Sequence, residues 1–470
     1  MSNAREFPQA ARDALGDVRL QAALSNLKRG FQVKRAEAFA ALPDPELMRE
    51  KGRAIRADAL FRLGELLVQF ETNVAAIGGH VHWARDAGEA RDIIGRLLSE
   101  RGARLVTKGK SMVTEEIGLN AYLEGQGITP VETDLGEYII QLRNETPSHI
   151  VAPAFHLRKE DVEKSFREAH SALDAGRPLS MRAALVAEAR AVMRRQFYAA
   201  DAGITGANFL VAETGTAIIV TNEGNGDLTR LLPRTHIVVA SIEKIVPTLA
   251  DASVLLRLLT RSATGQEITA YVTFASGPKR ADDADGPEEF HVVLLDNGRS
   301  ALLNGPAHDV LACIRCGACL NHCPVYGAIG GHAYGAVYPG PIGAALDPGL
   351  EGLRKTYHLP NASSFCGRCD EVCPVKIPLT RIMRHWRNQA FTAGLSSPSL
   401  ATGLRVWARV ARSPTLYAAV ASLGALCVRG IGGRKRFLTS FPILRGWFSV
   451  RDLPVPASKS FQRQWRARKP

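Results

Sequence analysis

Charged and apolar residues alternate at helical spacing through the first 70 positions, most clearly over 46–71, and predict a helical N-terminal segment spanning 1–70. The rhythm then changes. Residues 73–84 (NVAAIGGHVHWA) read as a strand, 90–102 (ARDIIGRLLSERG) as an amphipathic helix, and 103–111 (ARLVTKGKS) as a strand and loop. A helix over 115–127 (EEIGLNAYLEGQG) precedes an extended run over 128–142. Strands alternating with short helices predict βαβ units and a largely parallel sheet. Residues 159–200 form a helical stretch broken by GRPLS at 176–180. Gly and Asn between β-branched runs at 209–225, 235–242 and 289–300 predict strands joined by tight turns, with a polar loop at 275–289. No repeat of fixed period is present. The pattern gives an α/β domain over 71–303, a cysteine-bearing domain over 304–385 and an extension over 386–470.

A chain of 470 residues, 46% apolar and 22% charged, has ordinary globular composition and room for two or three cores. The N-terminus lacks the apolar stretch of a secretory signal. The apolar run at 416–428 falls short of the roughly 20 residues needed to cross a bilayer, so a cytoplasmic protein is expected. Charge is uneven. From Lys376 onward there are 18 Lys/Arg and one acid, Asp452, a net of +17. The other 375 residues hold 41 Lys/Arg and 45 Asp/Glu, a net of −4. The basic excess could dock an acidic partner, rest on an anionic membrane surface, or be a solvated face. The apolar 416–428 run amid arginines favours the first two. Nucleic acid is disfavoured, because no recognisable module interleaves aromatics with the basic patch.

Seven of the eight cysteines lie between residues 313 and 373. Clustering in a long chain without a signal sequence points to metal rather than to a disulfide scaffold. Cys313, Cys316, Cys319 and Cys323-Pro324 follow the C-x2-C-x2-C-x3-C-P spacing of bacterial-type ferredoxins. Three thiolates on one tight loop can reach three corners of one cubane, and the fourth points towards a second cluster. Cys366, Cys369 and Cys373-Pro374 form a second motif with three cysteines, and Ser363 stands where a fourth would be. Crossed ligation assigns Cys313, Cys316, Cys319 and Cys373 to one [4Fe-4S] cluster. It assigns Cys323, Cys366 and Cys369 to a second, either [4Fe-4S] with Ser363, another oxygen or water as fourth ligand, or [3Fe-4S]. A zinc site would use C-x2-C pairs and has no need of two C-P endings. Cys427, alone in an apolar stretch, reads as a buried thiol. His322, His308, His332 and His358 read as bystanders.

No G-x-G-x-x-G follows a strand, and Gly109-Lys110-Ser111 lacks the earlier glycine of a P-loop. No Cys-Cys-Gly motif occurs. No catalytic residue emerges, and the chain reads as a conductor of electrons. Lys108, Lys110, Ser111, Glu115 and Glu116 crowd a strand-to-helix junction. They are either a helix-terminal anion site or an ordinary helix capped by Thr114. The turns at 213–216 and 222–226 suit plain hairpins or the rim of a ligand pocket.

The cysteine segment, with GGHAYGAVYPGPIGA (330–344) between its motifs, resembles the lactate utilisation protein B family, the iron–sulfur subunits of a bacterial L-lactate oxidation system. So do KGKSMVTEEIGLN (108–120), ETDLGEYIIQL (132–142), PSHIVAPAFHLRKEDV (147–162), GITGANFLVAETGTAIIVTNEGN (203–225), LPRTHIVVASIEKIVPT (232–248) and LPVPASKSFQRQW (453–465). The resemblance implies a sugar-isomerase/CoA-transferase-like α/β fold, and two iron–sulfur clusters in an α-helical ferredoxin arrangement. It also implies a Cys-Cys-Gly redox partner and a smaller protein related to the N-terminal domain. The implied reaction is oxidation of L-lactate to pyruvate. Two other readings stay open: the same wiring for glycolate or glycerol phosphate, and an α/β domain that itself binds a hydroxy acid.

Overall fold

The computed structural model describes residues 6–432, 436–440, 448 and 451–468. The chain divides into two compact units, Met1–Ala390 and Phe391–Pro470.

The first unit is built on a six-stranded, wholly parallel sheet. Its strands are β1 (His80–Ala84), β2 (Leu105–Lys108), β3 (Thr129–Glu132), β4 (Ala202–Thr205), β7 (Thr235–Ser241) and β10 (Glu289–Leu295). Their order is β1-β10-β7-β4-β2-β3. The central strands are nearly continuous apolar runs because helices cover both faces. Alternate residues of β7 divide accordingly. Ile237 and Val239 pack on one face with Ile94 and Leu98 of helix Ala87–Ser99. Val238 and Ala240 pack on the other with Phe70 and Val74 of helix Leu63–Ala76. Between them in the chain, β5 (Phe209–Val211), β6 (Thr216–Thr221), β8 (Ile245–Val246) and β9 (Tyr271–Ala275) form a four-stranded mixed sheet ordered β8-β5-β6-β9.

The parallel sheet agrees with the sequence pattern, and several boundaries do not. The expected strand over 73–84 is helix to Ala76 and strand only from His80. Phe70 and Val74 continue the apolar stripe of the helix, and Gly78, at φ +83°, breaks it. The expected extended run over 128–142 is a strand only to Glu132. Asp134 then accepts from the N–H groups of Gly136 and Glu137 and starts helix Leu135–Leu142. A tight turn joins β5 to β6, with Gly215 at φ +67°. The runs at 235–242 and 289–300 are instead parallel neighbours joined by a long crossover, and Asn225 already opens helix Asn225–Leu231.

The N-terminal helices do not stand apart. Leu24, Leu27, Phe39 and Leu60 share one core with Leu320, Tyr326, Ile342 and Ile382 of the cysteine segment. In the second unit, helices Pro398–Ala411 and Pro414–Gly432 precede an antiparallel pair, Phe437–Leu438 with Leu453–Pro454. Helix Pro414–Gly432, at 19 residues, is long and apolar enough to cross a membrane by length and composition. The 416–428 run alone is too short, but the helix extends past it at both ends. Cys427 is exposed on this helix, not buried in a core as expected.

A buried charge network joins the parts of the first unit. Arg299, 0% exposed, ion-pairs with Glu116 at 2.7 Å and Glu243 at 2.8 Å. Glu116 also accepts from Tyr338 Oη–H at 2.7 Å, and Glu243 accepts from Arg315 Nη2 at 3.2 Å. Burial pushes Glu243 up, but Arg299 and Arg315 outweigh it and hold the carboxyl at about 2. The stabilisation from this depressed carboxyl is therefore present above the ordinary carboxylate range and lost as pH falls towards 2. Arg299→Met leaves buried Glu116 without a cation and buried Glu243 with Arg315 alone, and should cost about 3–5 kcal/mol at neutral pH. The deficit should shrink as pH falls, because the orphaned carboxyls then take up protons. Urea titrations at pH 7 and pH 5 check both statements; a loss under about 1 kcal/mol at pH 7 would remove the network from this role.

Candidate metal centre and adjoining cavity

The first cysteine loop departs from regular structure where its thiols must converge. Arg315 has φ +59° and Gly317 has φ +73°. A Cβ on Gly317 would meet Val151 at 3.0 Å, so the loop lies tight against 149–151. His149 fixes that wall. Its Nδ1 accepts from the N–H groups of Val151 and Ala152, and its Nε2–H donates to Asn321 at 2.9 Å. Burial holds it neutral, with a pKa of about 4.

Cys313, Cys316, Cys319 and Cys373 line one small pocket walled by Ile150, Ile342, Val375 and Leu379. Burial pushes the Cys316 thiol up to about 12 and Cys373 to about 11, and raises Cys319 well above its ordinary value. Four soft sulfur donors converging in a dry apolar wall are stable as thiolates only against metal cations, and this donor set suits an iron–sulfur cluster. Backbone donors already point at the sulfurs: Arg315 N–H at Cys313 Sγ and Ile377 N–H at Cys373 Sγ, both at 3.3 Å.

The other trio is more open. Cys366 is exposed, Cys323 half-buried and Cys369 buried. Burial raises Cys323 and Cys369, and each also feels another member of the trio, Cys366 for the first and Cys323 for the second. Ser363 Oγ accepts from Phe365 N–H at 3.2 Å, within its own loop. The histidines in and around the motifs donate to carbonyls: His322, inside the first motif, to Ala318, and the flanking His308 to Gly305, His332 to Thr146 and His358 to Tyr334.

The N-terminal helices supply donors that sequence reasoning missed. Gln32 donates to Asn321 O, Arg35 to Val372 O, Arg49 to Glu371 O and Cys373 O, and Arg56 to Leu311 O and Ala312 O. These carbonyls belong to the cysteine loops. In the sequence the same arginines are indistinguishable from solvated positions of amphipathic helices.

A cavity of about 330 Å³ adjoins this centre. It opens where the chain leaves the carboxyl ends of β2 (Lys110, Ser111), β3 (Asp134), β4 (Gly206, Ala207) and β7 (Lys244), and Arg315 and Tyr338 of the cysteine segment complete it. The loop at 222–226 lines it through Asn222, Glu223, Asn225 and Gly226; the turn at 213–216 does not. The crowded junction after β2 is divided in function. Lys108 is buried and ion-paired with Glu132 at 2.6 Å and Glu115 at 3.3 Å, so it holds together the carboxylate cluster of Glu115, Glu132 and Glu137. Glu116 belongs to the Arg299 network. Ser111, not Thr114, caps helix Met112–Glu116, which has only five residues. Lys110 donates to Val151 O at 2.6 Å. Lys244, which the sequence did not single out, is 7% exposed and makes no hydrogen bond or ion pair among the described residues. Burial, with Arg315 nearby, pulls it down to about 8.

Residues 67–295 match the LUD domain model, and residues 309–377 match the 4Fe-4S dicluster domain model. Relatives run the length of the chain. Lactate utilization protein B of Anoxybacillus flavithermus is 41% identical over 98% of this chain and 98% of its own. That of Lysinibacillus sphaericus is 42% identical over 95% and 93%. That of Bacillus subtilis is 41% identical over 98% and 96%. A solved DUF162 family protein from Deinococcus radiodurans aligns with 50% of this chain and 98% of its own at 17% identity and a TM-score of 0.29. With the cysteine spacing in place and the identity sustained from end to end, the chain belongs to the lactate utilization protein B family.

Proposed function

We propose that this chain is the iron–sulfur electron-transfer subunit of a complex that oxidises L-lactate to pyruvate. The observation that carries the reading is the buried pocket lined by Cys313, Cys316, Cys319 and Cys373, in a chain homologous to lactate utilization protein B over its whole length. Those four thiolates hold one [4Fe-4S] cluster; Cys323, Cys366 and Cys369 hold the second, [4Fe-4S] or [3Fe-4S]. Bound there, iron–sulfur clusters accept and release single electrons. The protein's part is to hold the thiolates, exclude water with Ile150, Ile342 and Leu379, and aim N–H groups at Cys313 and Cys373. Ser363 has its hydroxyl turned to Phe365 N–H, which favours a non-serine fourth ligand or a three-iron cluster at the second site.

The proposed division is a helical segment over 1–70 that packs into the core of the cysteine-bearing part, a sugar-isomerase/CoA-transferase-like α/β domain over 71–303, a two-cluster ferredoxin-type domain over 304–385 and a basic extension over 386–470. Partners are a Cys-Cys-Gly redox subunit and a smaller lactate-utilisation-domain protein. The setting is cytoplasmic and peripheral to the inner membrane surface. The exposed apolar helix Pro414–Gly432 within a strongly basic extension supports the surface contact.

Cys316→Ala, which offers no donor atom, should cost the chain its first cluster. Iron analysis and electron paramagnetic resonance should show about half the iron and one cluster signal missing, and lactate-dependent reduction should cease. Full iron content in that variant would remove Cys316 from the ligand set. With partners bound, L-lactate should bleach the visible iron–sulfur absorbance while glycolate and glycerol phosphate do not. Bleaching by dithionite but not by L-lactate would keep the cofactor and reassign the substrate.

A further inference from the structure

We infer that the cavity at the carboxyl ends of β2, β4 and β7 is a binding site for a small organic carboxylate, which pairs with Lys244 and Arg315 beside the first cysteine loop. Three independent observations meet there. The first is topology. In the order β1-β10-β7-β4-β2-β3, the chain leaves β2 for β3 on one side, while β4, β7 and β10 build out on the other. The crevice at the carboxyl ends beside such a reversal is where open parallel sheets bind ligands. The second is charge. Lys244 is more than nine-tenths buried, lines the cavity and has no hydrogen-bond or ion-pair partner among the described residues. Nη1 of Arg315, on the same wall, is also buried without a hydrogen bond. Buried cationic donors are costly until an acceptor pairs with them, and an anion in the cavity supplies one.

The third observation narrows the anion. Asp134 and Glu223 line the same cavity. Their carboxylates repel a multiply charged anion but accept from a neutral hydroxyl, and Ser111, Thr205 and Asn225 add polar contacts. One carboxylate with a hydroxyl or carbonyl group beside it matches this arrangement better than phosphate does.

Arg315 ties the site to the metal centre. Its guanidinium reaches the cavity and Glu243, and its backbone N–H donates to Cys313 Sγ at 3.3 Å. An anion bound at this guanidinium changes the field at Cys313. Only this spectroscopic consequence rests on the reading of Cys313 as a cluster ligand; the ligand class rests on the cavity.

The test uses the full chain, reconstituted with iron and sulfide without oxygen and without partners. Calorimetry compares L-lactate, pyruvate, neutral lactamide and inorganic phosphate on the wild type, Lys244→Gln, Lys244→Arg and Ala207→Leu. The last variant fills the cavity and keeps Lys244. L-lactate or pyruvate should bind once per chain, lactamide not at all, and phosphate more weakly. Lys244→Gln should weaken carboxylate binding at least about tenfold, Lys244→Arg should restore part of it, and Ala207→Leu should abolish it. Carboxylate should also shift the paramagnetic resonance signal of the first reduced cluster in the wild type and not in Ala207→Leu. Absence of binding to the wild type up to roughly 10 mM, equal binding by Lys244→Gln, or lactamide or phosphate binding as tightly as lactate would overturn the proposal. If Lys244→Gln fails to fold, the lactamide comparison and Ala207→Leu decide. Lactate-driven bleaching in the assembled complex, with no carboxylate bound by the isolated chain, would remove this site and leave the electron-transfer reading standing.

Discussion

The ion pairs of Arg299 with Glu116 and Glu243 are the constraint on which the first unit depends. Glu116 closes the short helix after β2, Glu243 lies just past β7 and Arg299 opens the helix after β10, so the segments that follow three strands of the sheet meet in one buried cluster. Arg315 and Tyr338 bring the cysteine segment to the same carboxylates, and Arg56 donates to the carbonyls of Glu243 and Ile245 from the N-terminal helices. Burying so many charges is expensive, and replacing the cluster with hydrocarbon could give a more stable protein. What the cluster supplies is register. The Arg299 guanidinium donates two directed hydrogen bonds to Glu116 and holds Glu243 by charge at 2.8 Å, and the bidentate contact to Glu116 is one that an apolar residue or a lysine cannot make. Positioning a metal-binding loop against a sheet calls for that kind of directional contact.

The same logic explains the N-terminal helices. Loops that wrap a metal centre cannot spend their carbonyls on regular secondary structure, and unpaired buried carbonyls are costly. Arg35, Arg49 and Arg56 cap carbonyls of the cysteine loops with charged donors, while Leu24, Leu27 and Leu60 seal the core beside them. The segment over 1–70 is thus part of the housing of the cysteine loops, although a sequence reading sets it apart as a domain.

What the sequence made legible follows from where each signal resides. The cysteine motifs are local: their spacing alone brings thiols together, and four of the seven cysteines do line one pocket. The parallel sheet is legible because β7 and β10 are apolar on both faces. The helix at Leu135–Leu142 carried a readable signal in Asp134 with Glu137 three residues on, but its Leu-Gly-Glu-Tyr-Ile-Ile run resembles a strand. Cys427 is exposed despite its apolar neighbours, because apolar neighbours along a chain imply burial only if something packs against them. Lys108 and Lys244 show the limit most clearly. One lies in a conspicuous polar run and is consumed by Glu132. The other sits in an unremarkable Ile-Glu-Lys stretch and faces the cavity. Nothing in the spacing of either distinguishes a paired cation from one that makes no ion pair among the described residues, since the partner arrives from a distant strand.

The two groups of cysteines also differ in exposure, and the difference has a physical consequence. The quartet of Cys313, Cys316, Cys319 and Cys373 is enclosed by aliphatic side chains and lies against the cavity side of the molecule through Arg315. In the trio, Cys366 is exposed and Cys323 half-buried. Burial in a low-dielectric pocket disfavours added negative charge, while neighbouring cations offset that penalty; solvent exposure changes the balance again. Arg35 and Arg56 stand near the quartet, whereas the trio opens to solvent. Two clusters held in such unlike surroundings would differ in potential even if their chemistry were identical. The enclosed one would lie near the cavity, and the exposed one would be within reach of a partner protein. The fold thus separates an enclosed group of cysteines from an exposed one along a single chain, and burial rather than spacing sets them apart.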